Sequence, residues 1–132
     1  MSFKIAVWSG KKKVNKQEAL AVYERILQGN CEDLQESDNI EHFLKELAKE
    51  IPSYENIPED KRANGPWEEP FTVSDSYVLL SLRRERCVEA VPIILKMATK
   101  SDLTYYDPQH QVVYNPNAIL SWMRKMTATV MP

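Results

Sequence analysis

Residues 38–51 read DNIEHFLKELAKEI, and within them Ile40, Phe43, Leu44, Leu47, Ala48 and Ile51 recur at helical spacing. Asp38 three residues before Glu41 marks the start of this helix, and Pro52 stops it. Its apolar stripe is continuous, so the helix has to bury a face against a second layer. Residues 77–82 supply that layer, with Val78, Leu80 and Leu82 alternating with Tyr77 and Leu79 as in a central strand. The expectation is that Ile40, Phe43, Leu44, Leu47 and Ile51 pack on this strand.

Toward the N-terminus, Phe3, Ile5 and Val7 alternate with Lys4, Ala6 and Trp8, a first strand ended by Ser9-Gly10. After a loop holding Lys11, Lys12 and Lys13, Asn15 and Glu18 form a capping-box pattern. Ala19, Leu20, Val22, Tyr23, Ile26 and Leu27 then repeat at helical spacing as far as Gly29. Toward the C-terminus, Pro52, Pro58, Pro66 and Pro70 predict a long irregular loop that carries Tyr54 and Trp67. Residues 71–73 read as strand before a turn at Asp75-Ser76. A helix follows over Cys87, Val88, Val91, Ile94, Leu95 and Ala98, with Pro92 near its start or at a kink. Residues 103–106 and 112–114 make a hairpin through Asp107-Pro108-Gln109-His110. Asn117 can cap a last short helix, which makes residues 117–132 an optional peripheral tail. The order β-α-α-β-α-β-β predicts an α+β fold: one layer of mostly antiparallel sheet, helices on one face, in a single domain over residues 1–132.

At 132 residues and 43% hydrophobic, the chain can form a core without metals or disulfides. No apolar run approaches the roughly 20 residues a bilayer span needs, and no signal core follows the N-terminus, so the expected location is the cytosol and no membrane partner is expected. Cys31 and Cys87 are too few and too far apart for a disulfide framework. Cys87 falls in an apolar pattern, and Cys31 lies among acids, a poor setting for a nucleophilic thiolate. The charge is segregated. Residues 30–76 hold thirteen acids against four bases, net −9, and the rest of the chain is net +7. Such a field bears on partner choice and association rate.

Catalytic chemistry is sparse. His42 and Glu46 lie one helical turn apart, which supplies only two metal ligands, so no metal site is expected. His110 beside Asp107 fits ordinary turn chemistry. With three glycines the chain has no phosphate-binding loop, and GxSxG and HExxH are missing. No enzyme activity and no cofactor are therefore expected.

Three stretches carry a resemblance: Phe3-Lys4-Ile5-Ala6-Val7-Trp8-Ser9-Gly10, Gly65-Pro66-Trp67 and Tyr106-Asp107-Pro108-Gln109. Together they resemble a family of small, poorly characterised bacterial proteins with an AVW-x-G start, a PW loop and a YDPQ hairpin. The match runs to about Pro116. The resemblance implies an immunity protein of a bacterial toxin system, and no residue roles come with it.

The charge pattern then suggests the mode of binding. Clustered carboxylates can satisfy the arginines and lysines with which a nuclease toxin holds phosphate. The expected partner is a cognate protein toxin, met by Glu32, Asp33, Glu36, Asp38 and Glu41 at the start of the second helix. Glu68 and Glu69 beside Trp67 complete the set, with Trp67 as aromatic anchor. The alternative is a sheet-surface RNA- or ligand-binding module, in which Tyr105, Tyr106 and Tyr114 stack bases beside Arg83, Arg84 and Arg86. The acidic segment weighs against nucleic acid.

Overall fold

In the computed structural model, which describes residues 2–116, the chain runs through β1 (Ser2–Trp8), α1 (Lys16–Leu27), α2 (Asp38–Glu50), β2 (Thr72–Val73), β3 (Tyr77–Arg83), α3 (Cys87–Lys100), β4 (Thr104–Asp107) and β5 (Val112–Tyr114). The strands form one sheet of order β2-β3-β1-β4-β5, antiparallel at every pairing. The α+β class, the antiparallel sheet and the hairpin over residues 103–114 are as expected. The tail helix expected over 117–132 lies outside the described residues.

The strand over residues 77–82 is interior as expected, lying between β2 and β1, and β1 is the middle strand of the five. It pairs with β3 along its whole length, from Ser2 opposite Arg83 to Trp8 opposite Tyr77, and with β4 over residues 6–8. Ile5, Ala6, Val7 and Trp8 are all buried, so both faces of β1 are covered.

The helices do not share one face, and here the expected layering is corrected. Phe3, Ile5, Val7, Val78, Leu80, Leu82 and Tyr105 point to one side, where they pack with Ile40, Phe43 and Leu47 of α2 and Ala90, Ile94 and Met97 of α3. Ala6, Trp8 and Tyr106 point to the other and pack with Ala19, Val22 and Ile26 of α1. Alternation along a strand sends successive side chains to opposite faces. Because Phe3, Ile5 and Val7 are buried on one face of β1 and Ala6 and Trp8 on the other, each face needs its own helical cover.

The capping box of α1 forms as its residues predict: Asn15 Oδ1 accepts from Glu18 N at 2.8 Å, and Glu18 Oε1 accepts from Asn15 N at 3.0 Å. The cap of α2 is Ser37, whose Oγ accepts from Asn39 N, and Asp38 is the first helical residue. Pro92 lies inside α3, where its missing N–H leaves one helical bond unmade.

The proline-rich loop is more ordered than its composition predicts. Two short 3-10 turns, Tyr54–Asn56 and Glu59–Asn64, occupy its first half. Its second half lies along the outer edge of β3: Arg83 N donates to Pro66 O, Trp67 bridges Leu82, and Glu68 N donates to Ser81 O. The register slips by two residues before Thr72 pairs with Leu79. This break surrounds Pro70, and a broken, proline-bearing edge strand resists pairing with other chains.

Candidate partner-binding surface

The residues expected to meet a partner divide into three groups. Glu32 and Asp33 sit with Lys11, Lys12 and Arg25 around one recess between α1 and the loop before α2. There Asp33 is ion-paired with Arg25 at 2.5 Å, and the carboxylate raises the Arg25 pKa, chiefly through that hydrogen bond. The acid charge is offset at this place.

The second group is Glu36, Asp38 and Glu41. Ser37 N donates to Asp75 O at 3.1 Å, which brings the β2–β3 turn against the start of α2 and adds Asp75 to the group. Glu36, Asp38 and Asp75 are exposed, and none has an ion-pair partner among the described residues. Glu41 pairs with Lys45 one turn along at 3.2 Å, in full solvent. Asp75 joins only through the fold, since no sequence spacing links it to residues 36–41.

The third group, Glu68 and Glu69, lies beside Ser81, four residues along β3 from Tyr77 and hence about 13 Å from the β2–β3 turn that carries Asp75. Glu69 is ion-paired with Lys4 at 3.3 Å. Trp67 is not an exposed anchor. It is 1% exposed, its indole N–H donates to Pro52 O at 2.8 Å, and its ring meets Phe71 edge-on at 4.7 Å. An indole with a satisfied N–H inside the core pins the loop and leaves nothing to offer a partner.

Next to the second group runs an open groove of about 340 Å³ between α2, the loop after it and β2. Leu44, Ala48, Ile51, Phe71 and Val73 line it, with Glu41, Lys45 and Glu55 at its rim. The broad stripe read from residues 38–51 is thus divided. Ile40, Phe43 and Leu47 enter the core, whereas Leu44 and Ile51 are half-buried and Ala48 is exposed.

The residues expected to hold RNA are divided by the fold, with Arg84 the exposed arginine of the set. Tyr105 and Tyr106 are buried, leaving Tyr114 as the exposed tyrosine of the three. Arg83 donates to Arg62 O, and Arg86 to Asn64 O and Glu89. Arg62 in turn donates to Tyr54 O and Ile57 O and stands 4.8 Å over the Tyr54 ring. These arginines secure the loop over 54–65 through its carbonyls.

The fold adds Ser101 to the His42 and Glu46 pair that the sequence spacing already showed. His42 Nδ1 lies 2.8 Å from Ser101 Oγ, and His42 Nε2 lies 3.6 Å from Glu46 Oε1. A Ser-His-Glu array suggests nucleophilic chemistry, yet Ser101 is 2% exposed. The amides of Ser101, Asp102 and Leu103 donate to Met97, Thr99 and Ala98, so none is available to hold an oxyanion. The array ties α2 to the end of α3. At the hairpin turn, the Asp107 carboxylate accepts from the Gln109 and His110 amides and meets His110 Nδ1 at 2.8 Å. Burial pushes the Cys87 thiol pKa up. Among the described residues no group of three His, Cys, Asp or Glu is placed to hold a metal, and no helix is long and apolar enough to cross a membrane.

No family model, no curated protein and no solved structure matches the chain.

Proposed function

We propose that this chain is a non-enzymatic binding protein, an immunity protein that neutralises a cognate bacterial toxin by covering its basic active site. The observation that carries the reading is the convergence of Glu36, Asp38 and Asp75, exposed and without ion pairs among the described residues, at one end of the sheet. Unpaired surface carboxylates gathered from two separate elements attract lysines and arginines and speed encounter with a basic partner. The resemblance of the three stretches to small bacterial proteins supports the same reading. The mixed charges around Glu32 and Asp33, and the ion-paired Glu69, place less weight on those residues.

The test is growth of a bacterial host that expresses the reading frame beside the gene for this chain, with and without the chain itself. The neighbour alone should arrest growth, and co-expression should restore it. Replacing Glu36, Asp38 and Asp75 together by lysine should abolish the rescue while the variant still folds. A neighbour without toxicity, or a rescue unaffected by the reversal, contradicts the proposal.

A further inference from the structure

We propose that the groove between α2 and β2 receives one large apolar side chain from a lysine- or arginine-rich segment of the partner protein. This rests on the partner-binding reading above and assigns the contact that gives it affinity. The stripe on α2 is wider than the sheet covers, so Leu44, Ala48 and Ile51 continue the apolar surface into the groove. Phe71 and Val73 form the opposite wall, and Val73 is 51% exposed. At about 340 Å³ the groove lies near the lower end of small-molecule sites, about 300–1,000 Å³, a size suited to a side chain or two.

The charge around it selects the occupant. The groove's rim carries Glu41 and Glu55 against Lys45, Asp38 lies one helical turn before Glu41, and Asp75 follows two residues after Val73 of the wall. A second copy of this chain would set acid against acid, whereas a basic segment meets complementary charge. An apolar centre with a charged rim is the usual anatomy of a binding surface, and a few buried anchors supply most of its energy.

The probe is a short lysine-rich peptide with one central phenylalanine, titrated into the ¹⁵N-labelled chain and followed by amide shifts. Saturable shifts are expected at Leu44, Ala48, Ile51 and Val73. Replacing the peptide's phenylalanine by asparagine should weaken binding by about tenfold or more. Ala48→Arg, which fills the groove, and Val73→Thr, which removes apolar wall, should each weaken the phenylalanine peptide similarly while melting like the parent chain. Both positions are exposed, so the fold should tolerate the changes. Shifts confined to Glu36, Asp38 and Asp75 and equal for both peptides overturn the groove while leaving the acidic contact standing. The absence of any saturable shift overturns both.

Discussion

Gln109 stands in for a strand residue. Its side-chain amide accepts from Lys4 N at 2.5 Å and donates to Lys4 O at 2.7 Å, beyond the point where β4 stops pairing with β1. Asn115 makes the same paired contact with Val14. Gln109→Ala should therefore leave two part-buried backbone groups unsatisfied and cost about 1–3 kcal/mol in urea unfolding. A loss inside the error of the measurement would mean that water replaces the amide without cost. The tyrosines give a pH test. Burial raises the pKa values of Tyr105 and Tyr106 above 10.0, the value expected once the chain unfolds. The sign follows from linkage: the stabilisation is complete below pH 10 and is lost as pH rises through the folded-state values. Alkaline titration followed by phenolate absorbance and circular dichroism should show these two ionising together with unfolding. Reversible ionisation of all six tyrosines near pH 10, with the fold intact, would contradict their burial.

At the scale of elements, α2 separates core from surface along a single helix. Leu47→Ala should cost about 2–5 kcal/mol, as for a fully buried leucine. Leu44→Ala, in the half-open groove, should cost clearly less, about 1 kcal/mol. Equal losses would return Leu44 to the core and close the groove as a binding feature. Asn15→Ala removes the side-chain half of the α1 capping box and should cost about 0.5–2 kcal/mol by thermal or urea unfolding. These elements were legible because helical and alternating periodicities are local properties. The Asn15 cap, the wide stripe on α2 and the hairpin around Asp107 could each be read from neighbours in the chain. The side of the sheet that each helix covers could not be read, because a stripe records that a face is buried and not against which side of the strand. Trp67 was equally opaque, since a tryptophan in a proline-rich loop suits either a core plug or an exposed anchor. Only its indole bond to Pro52 O and its bridge to Leu82 decide between them.

At the scale of the whole molecule, the net −9 of residues 30–76 does not become one uniform acidic surface. Folding disperses it. Asp33 goes to Arg25 and Glu69 to Lys4, while Asp75 is carried to Glu36 and Asp38 by contacts between residues far apart in the chain. The segregation of charge was therefore visible in the sequence, but the grouping that could meet a partner depends on topology. An exposed group of this kind acts through a field screened over about 8–10 Å at physiological ionic strength. Asp38 also stands in the first turn of α2, so its reversal removes a favourable helix-end charge, and melting has to be measured alongside binding. The most direct measurement is the association rate with the toxin identified by growth rescue, taken across a salt series for the parent chain and for the variant with Glu36, Asp38 and Asp75 changed to lysine. The parent rate should fall steeply with salt, and the variant at low salt should associate about tenfold or more slowly. A rate indifferent to both salt and charge reversal would contradict recognition through this acidic surface.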